Sequence, residues 1–225
     1  MQRIFAMGAG SIRERGEFSL VLTGGQTVQP LYRRMADAAL FRAASLDPAL
    51  VQFFMGDERR VPEDHLDSNA GMVKRLLLGP LGIARENITL MPGADPDPVA
   101  GAARYEKELR SIFPPERCRE GFPVFDLILL GMGSDGHVAS LFPNCEALTE
   151  KKKWVVPSLP HRMKPAVSRL TLTLPLINQA RMVMVLIQGE VKRRIVDEVL
   201  IGSPEAAGYP AGALAPSGQL LWLMG

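Results

Sequence analysis

The sequence is poor in cysteine, in long apolar runs and in excess charge. Only two cysteines, Cys118 and Cys145, occur in 225 residues, and neither belongs to a CxxC motif or a cysteine–histidine cluster. This scarcity is typical of a reducing cytoplasm and argues against a zinc site. No apolar run approaches the ~18 residues of a membrane span, and the N-terminus lacks the apolar stretch of a signal peptide. The formal net charge of +2 is too small to indicate a nucleic-acid or membrane partner.

What the sequence does contain is a repeated pattern of short apolar runs that end in glycine and polar residues. The runs are FSLVL, LVQFFM, FDLILL and MVMVLI, and the segments that follow them are TGGQT, GDERRVP, GMGSDGH and QGEVK. Such runs indicate strands buried on both faces. Helical patterns lie between them: PLYRRMADAALFRAA, SNAGMVKRLLL, DPVAGAARYEKELRSIF and EVKRRIVDEVL. The alternation predicts one α/β domain over residues 1–225, with a mostly parallel, open, doubly wound, Rossmann-like sheet and helices on both faces.

Two further segments, RLTLTL and QLLWLM, show strand-like alternation, which would put Thr171 and Thr173 on one face of a strand. The proline-rich segments 157–165 and 204–216 are predicted to be surface loops. In an open parallel sheet, ligands bind beyond the carboxyl ends of the strands. All four glycine-polar segments fall at such ends, so we expect them to converge on one crevice.

The segment TGGQTVQP follows the first predicted strand. Gly24 and Gly25 would let the backbone approach a ligand closely, and Thr27 is placed to cap a helix with Pro30 in its first turn. The N–H groups at such a helix start attract phosphate. The segment matches neither the P-loop nor the dinucleotide-binding motif. From the residues alone, a phosphate cradle and an ordinary strand-to-helix turn both remain open.

Charged residues follow the second predicted strand. Arg59 is suited to donate two hydrogen bonds to a phosphate or a developing oxyanion. Asp57 is suited to orient a base or an arginine. The alternative for this segment is a solvated charge cluster. Asp67 and Ser68 are predicted to cap the next helix, and His65 is predicted to be solvated in a polar loop.

The segment GMGSDGH is the strongest local signal for chemistry. His137 is the natural general base near neutral pH, and the surrounding glycines and Asp135 favour that function over a structural hydrogen bond. His161, among prolines, has no such setting. Arg169 and Lys192 come at the starts of a predicted strand and a predicted helix. They offer two cations for a substrate phosphate, although an ordinary surface position is the alternative for each.

These segments together resemble the 6-phosphogluconolactonase family. LTGGQTVQPLY, FFMGDERRVPEDHLDSN, FDLILLGMGSDGHVASLFP, SRLTLTLPLINQAR and YPAGAL occur in the family's order. The resemblance implies hydrolysis of 6-phosphoglucono-1,5-lactone to 6-phosphogluconate in the pentose phosphate pathway, without a metal or an organic cofactor. It implies that His137 is the base, and that the substrate-binding residues are Arg59, Arg169, Lys192, Gly24, Gly25 and Thr27. The implied partner is a small phosphosugar lactone, and a monomer or weak homodimer is expected.

The resemblance leaves one catalytic role and two rival functions open. Asp57 is expected to orient Arg59 or His137, but Asp135 competes for that role. Glucosamine-6-phosphate deaminase shares the fold and the Asp-Gly-His segment, but its histidine works beside a glutamate in the sequence NEP. Here the corresponding sequence is LFP, and Phe142 cannot relay a proton. A non-catalytic sugar-phosphate-binding regulator would need no base at His137.

The chain departs from the family pattern at two places. Family members usually carry serine where Gln26 stands, so a hydroxyl is replaced by a longer amide that still donates a hydrogen bond. They also carry a strand and most of a helix before the position of Glu17. We expect either that the natural start lies upstream or that the sheet forms without that opening strand.

Overall fold

The protein is an α/β structure built on a parallel sheet, as described for residues 1–159 and 167–225 by a computed structural model. In chain order its strands are β1 (Phe18–Leu22), β2 (Val51–Met55), β3 (Asp57–Arg59), β4 (Ile88–Thr89), β5 (Cys118–Arg119), β6 (Phe122–Pro123), β7 (Leu127–Gly131), β8 (Val155–Ser158), β9 (Arg169–Leu172), β10 (Met182–Ile187) and β11 (Gln219–Met224). Its α-helices are α1 (Gln2–Arg15), α2 (Gln29–Met35), α3 (Ala38–Ala43), α4 (Asn69–Val73), α5 (Pro98–Ile112), α6 (Leu174–Ile177) and α7 (Glu190–Leu200).

The main sheet has the strand order β11-β10-β7-β1-β2-β4, and each neighbouring pair is parallel. From β1 the chain moves to β2 and β4 at one edge, then returns to β7, β10 and β11 on the other side. Because parallel crossovers are right-handed, the connections of the two halves lie on opposite faces. The predicted doubly wound α/β fold is confirmed. The strand order reverses between β1 and β7, which is where such folds bind ligands.

A second, antiparallel sheet lies beside the ends of the main strands, in the order β3-β9-β8. Its register places Asp57 opposite Thr171 and Arg59 opposite Arg169. The predicted strand RLTLTL is shorter than expected, because β9 ends at Leu172, where its pairing with β8 ends, and Thr173 is the N-cap residue of α6. Thr173 therefore does not share a strand face with Thr171, and its hydroxyl donates to the carbonyl of Lys153.

The short apolar runs predicted the buried strands well. FSLVL, MVMVLI and QLLWLM coincide with β1, β10 and β11, and EVKRRIVDEVL coincides with α7. One helix prediction was wrong, because the segment 30–44 forms α2 and α3. Between them Asp37 accepts a hydrogen bond from the N–H of Ala39 at 2.9 Å, and so starts a new helix. The pattern SNAGMVKRLLL also divides, since α4 passes into a π-helical turn at residues 74–78.

The proline-rich segments were only partly predicted. Pro157 lies within β8, on the outer side of the second sheet, where a missing N–H is tolerated. Residues 204–208 and 210–213 form short 3₁₀ helices on the way to β11. His161 and its neighbouring prolines lie outside the described residues.

Candidate active site

A cleft of about 360 Å³ opens at the carboxyl ends of β1 and β7, where the strand order reverses. The segments after β1, β2, β7 and β10 all reach it, because parallel strands end at the same edge of the sheet. The structure brings together all eight residues that the sequence singled out, and they line this cleft: Gly24, Gly25, Thr27, Asp57, Arg59, His137, Arg169 and Lys192.

His137 is held by the carboxylate of Asp135. The Nδ1 of His137 lies 2.6 Å from Asp135 Oδ1, which also accepts the His137 backbone N–H at 3.2 Å. A proton on Nδ1 shared with this carboxylate leaves Nε2 as the acceptor nitrogen of the ring. Burial of Asp135 would raise its pKa, but the hydrogen bonds and charge of His137 together lower that pKa below its ordinary value.

Two glycines give this turn its shape. A Cβ on Gly133 would lie 2.2 Å from the His137 ring and 2.7 Å from Asp135 Oδ1, so only glycine admits the histidine–carboxylate pair at this distance. Gly136 has a φ of +76°, and a Cβ there would lie 2.7 Å from the Tyr209 side chain. The Ala211 N–H donates to the Gly136 carbonyl at 2.9 Å. The segment 209–211 therefore packs directly on the histidine turn.

Phe142 lies between His137 and a cation. Its ring centroid is 4.6 Å from that of His137, with the rings tilted by 51°. The Arg169 guanidinium lies 5.2 Å from the same ring, within the range of a cation–π contact. Phe142 is buried, so it forms an apolar wall behind the two polar groups.

Asp57 is buried, and its carboxylate is engaged away from the histidine. Ser140 Oγ donates to it at 2.6 Å, and the Asn69 amide donates at 3.3 Å. Within residues 1–159 and 167–225, Asp57 forms no ion pair with Arg59 and no hydrogen bond with His137. Of the two carboxylates expected to orient the histidine, the one in contact with it is Asp135.

The two arginines of the cleft are neighbours across the second sheet. Arg59 and Arg169 are directly opposite in the β3–β9 pairing, a position in which side chains share one face. Arg59 Nη1 donates to the Asp67 carbonyl at 2.7 Å. Burial lowers the pKa of Arg169, while the negative charge of Asp57 raises it and the positive charge of Arg59 lowers it further. Two like charges in this register favour an anion between them.

The glycine turn after β1 lies where the sequence predicted it, but Thr27 does not cap the helix that follows. Thr27 lines the cleft, yet α2 begins two residues later with Val28 at the N-cap and no side-chain cap. A Cβ on Gly24 would lie 1.8 Å from Asn69 Oδ1, and Gly25 has a φ of +95°. Glycine is required at both positions, the first for close approach and the second for the left-handed backbone.

Lys192 enters the cleft from the first turn of α7. This helix follows Gly189, whose φ of +96° turns the chain from β10 into the helix. Lys192 is half-buried, and in the described part of the chain it forms no ion pair. Its ammonium group is therefore available to an anion in the cleft.

The helix cap after β3 uses one predicted residue and one that was missed. Ser68 accepts the Gly71 N–H at 3.0 Å, as predicted, whereas Asp67 contributes its backbone carbonyl to Arg59. Glu58 is buried and accepts the N–H groups of Asn69 and Ala70 at 2.8 and 2.7 Å. Burial raises the pKa of Glu58, although these backbone hydrogen bonds act in the opposite direction. A glutamate inside a charged run gave no sequence signal for this role.

Two buried tyrosines that the sequence analysis missed brace the strand ends. The Tyr32 hydroxyl accepts the Thr23 N–H at 2.9 Å and donates to the Thr23 carbonyl at 2.8 Å, just beyond β1. Tyr105 does the same for Met55 at the end of β2, at 3.0 and 3.1 Å. Burial raises the pKa of both phenols, so both stay protonated. A tyrosine on the apolar face of a predicted helix is the signal that would have identified them.

His65 is half-exposed, as predicted, and its Nδ1 accepts the Asp67 N–H at 3.1 Å.

Among the residues that the structure describes, no group of three or more His, Cys, Asp and Glu side chains is placed to hold a metal ion. Nor does any helix in those residues have the length and apolar character needed to cross a membrane. Cys118 and Cys145 are both unpaired thiols.

Comparison with known proteins agrees with this geometry. A family model described as glucosamine-6-phosphate isomerases/6-phosphogluconolactonase matches residues 1–222. A 6-phosphogluconolactonase from Synechocystis sp. is 41% identical over 214 residues, covering 95% of this chain and 84% of the relative. The Homo sapiens 6-phosphogluconolactonase is 38% identical over 216 residues, covering 93% and 79%. The crystal structure of 6-phosphogluconolactonase from Thermotoga maritima has a TM-score of 0.83 at 29% identity, covering 100% of this chain and 92% of that one. The chain belongs to the glucosamine-6-phosphate isomerase/6-phosphogluconolactonase family.

Proposed function

We infer that this protein is a 6-phosphogluconolactonase, which hydrolyses 6-phosphoglucono-1,5-lactone to 6-phosphogluconate in the oxidative pentose phosphate pathway. Relatives with that name, 41% and 38% identical, match nearly the whole chain. The observation that carries the choice within the family is the surroundings of His137. The histidine is paired with a carboxylate at Nδ1 and backed by the apolar ring of Phe142.

The phosphate of the substrate is held at the cationic side of the cleft. Arg169 and Lys192 supply the positive charge, and the backbone of Gly24 and Gly25 supplies a close approach without side chains. Arg59, opposite Arg169, faces the same anionic substrate. Seating the phosphate here places the lactone carbonyl near the histidine turn, which lines the same cleft.

His137 acts as the general base on water. Its Nε2 takes a proton as the water oxygen forms a bond to the lactone carbonyl carbon, and the resulting imidazolium is stabilised by Asp135 at 2.6 Å. Arg59 stabilises the oxyanion of the tetrahedral intermediate. When the bond from the carbonyl carbon to the ring oxygen breaks, His137 returns its proton to that oxygen. Asp57 holds Ser140 and Asn69 at the back of the site and contributes to catalysis through its field on Arg169.

Phe142 separates this function from that of a deaminase. A deaminase of this family moves protons between carbons with a glutamate beside its histidine, whereas the Phe142 ring, tilted against His137, cannot accept a proton. The burial of Phe142 leaves that side of the histidine apolar. Water activation needs only the histidine and the carboxylate that orients it.

One comparison of activities tests the proposal. Purified protein should hydrolyse 6-phosphoglucono-1,5-lactone well above the spontaneous rate and release no measurable ammonia from glucosamine 6-phosphate. Ammonia release at an enzyme-like rate would make it a deaminase. Binding of 6-phosphogluconate without any lactone turnover would make it a sugar-phosphate-binding regulator.

The working environment and partners are part of the same proposal. We propose a cytoplasmic enzyme, a monomer or weak homodimer, that acts on a small phosphosugar lactone without metal or organic cofactor and binds neither nucleic acid nor membrane. The formal net charge of +2 and the two unpaired cysteines support this environment. Size-exclusion chromatography with light scattering, and activity in the presence of EDTA, would test the oligomeric state and the independence from metal.

A further inference from the structure

The cleft continues into a second space that the proposed reaction does not use. We call it the side chamber, and its volume is about 400 Å³. It shares four lining residues with the cleft: Gly25, Gln26, Arg59 and Asn69. The other lining residues come from α2, from the loop before α4 and from the helical turns that follow it. A ligand seated in the cleft can therefore extend into the side chamber without leaving the surface of the protein.

The side chamber has an excess of positive charge. Arg33, Arg59 and Arg75 line it, and Asp67 is the one acidic residue among its lining residues. The Asp67 side chain is 65% exposed, and its carboxylate lies 3.8 Å from His65 Nδ1 and acts on Arg169 through its negative charge. Three arginines and one largely exposed carboxylate therefore line the side chamber, which leaves its lining with an excess of positive charge.

The arginines of the side chamber form no ion pairs with acidic residues in the described part of the chain. Arg33 Nη2 donates to the neutral Gln29 side chain at 3.1 Å, and Arg59 Nη1 donates to a backbone carbonyl. The Nε of Arg59 is buried without a hydrogen-bond partner in the described part of the chain, where Arg75 likewise forms no ion pair. Guanidinium groups in this state bind planar or tetrahedral oxyanions well.

The side chamber also carries neutral donors and is held by packed elements. Gln26 and Gln29 present amides to it, and α2 packs against the turn that carries Arg75. Gln26 lines both the cleft and the side chamber, so its amide is available to a ligand in either space. The donors are of the kind that complete the coordination of a phosphate monoester.

We propose that the side chamber is a second phosphate subsite, so that the complete groove binds sugars that carry two phosphate groups. One phosphate occupies the position beside Arg169 and Lys192, and the second lies among Arg33, Arg59 and Arg75. Such a ligand has no lactone carbonyl, so it binds as a competitive inhibitor. This inference rests on the proposed function for its first phosphate site but adds the second site independently.

Calorimetric binding of fructose 1,6-bisphosphate and fructose 6-phosphate tests the subsite without using turnover. The bisphosphate should bind the wild-type protein about tenfold or more tightly than the monophosphate. In the Arg33→Gln/Arg75→Gln double variant this advantage should fall to about twofold. Both side chains are exposed, so the variant should fold, and a thermal unfolding midpoint checks this.

Arg34→Gln is the matched control, because Arg34 is an exposed arginine on the same helix that does not line the side chamber. It should keep the wild-type preference for the bisphosphate. An equal loss of preference in Arg34→Gln would mean general electrostatics and would overturn the subsite, as would equal affinity of the wild type for both sugars. If the bisphosphate binds and the monophosphate does not, the side chamber stands and the phosphate site at Arg169 fails.

Discussion

The two ends of the same three strands open onto very different surfaces. Beyond their carboxyl ends, β1, β7 and β10 lead into the candidate active site, with a cleft of about 360 Å³. Before their amino ends lies a larger cavity of about 630 Å³, lined by residues that include Arg15, Arg117 and Arg181. Both ends are rich in arginine, and the larger cavity is at the end where no ligand is expected in a fold of this type.

The difference lies in what the arginines contact. At the amino ends, Asp126 pairs with Arg15 at 3.0 Å and with Arg181 at 3.3 Å, while Arg117 pairs with Glu17. At the carboxyl ends, Arg59 faces Arg169 across a strand pair, and the nearby Asp57 is bonded to Ser140 and Asn69. At the amino ends three arginines are paired with carboxylates, which indicates a structural role. At the carboxyl ends Arg59 donates to a backbone carbonyl and faces a second arginine, which suits an anionic ligand.

The largest effect is expected at the carboxyl ends, on replacing His137 by asparagine. Removal of a positioned base lowers the turnover rate by roughly 10²–10⁴-fold. The affinity for substrate should change little, because the phosphate is bound by other residues. Lactone hydrolysis is measured after subtraction of the spontaneous rate. Near-wild-type turnover in the folded variant would assign His137 a structural role and end the functional reading of this turn.

Arg169 and Arg181 provide a matched pair across the sheet. Arg169→Ala removes a charged partner of the phosphate, so KM should rise by about 10- to 150-fold, equivalent to roughly 1.5–3 kcal/mol. Unphosphorylated gluconolactone should be a poor substrate for the same reason. Arg181→Ala, at the amino ends, should leave KM unchanged. A similar KM increase in both variants would erase the distinction between the two surfaces.

Asp126 tests the structural role of the amino-end cavity. Its buried carboxylate accepts the N–H and the hydroxyl of Ser19, both at 2.9 Å, in addition to the two arginines. Asp126→Asn should lower the free energy of unfolding by about 1–3 kcal/mol, because a buried acceptor is replaced by an amide with the wrong donor. Urea denaturation measures this loss, and kcat should stay within about twofold of the wild type. Lost turnover with unchanged stability would assign a function to this end.

Asp135 is expected to give the smallest effect, because it is partly exposed. Asp135→Asn should lower turnover by about tenfold through loss of the charged hydrogen bond to His137, with KM nearly unchanged. The pKa of Asp135 is depressed in the folded protein, so its ionised form stabilises the fold. That contribution is present above its ordinary value of 3.8 and is lost as the pH falls through the lower folded value.

The pH dependence gives a second measurement for the same variant. The difference in unfolding free energy between wild type and Asp135→Asn should shrink as the pH falls below about 4. A turnover loss in Asp57→Asn through a changed histidine orientation, with Asp135→Asn unaffected, would reverse the assignment of the two carboxylates.

The sequence predicted the elements that burial alone determines. β10 is apolar throughout and Ser19 is the one polar residue of β1, so their limits follow from hydropathy, and the site residues follow from their position at the strand ends. The limits of β9 were not predictable, since the strand ends where its pairing with β8 ends, at Leu172. The division into α2 and α3 depends on one capping carboxylate, Asp37, that competes with a continuous helical pattern.

The hydrogen-bond partners within the site could be identified only from the three-dimensional structure. Asp57 and Asp135 are both aspartates close to glycine, and only the fold shows that Ser140 and Asn69 occupy the first while the second reaches His137. The tyrosines that bond to the ends of β1 and β2 lie on helices, and the apolar pattern of these helices does not predict which backbone groups each hydroxyl contacts. The roles of the eight cleft residues remain predictions until the variants are measured.

The contact of residues 209–211 with the Gly136 turn joins a late part of the chain to the turn that carries His137. A ribosome has already made β1, β7 and His137 long before it reaches Tyr209 and Ala211. Until then the Gly136 carbonyl lacks the Ala211 N–H, and the outer side of the turn has no covering side chain. The histidine turn is thus made in the middle of translation, but its contact with residues 209–211 can form only near the end of synthesis.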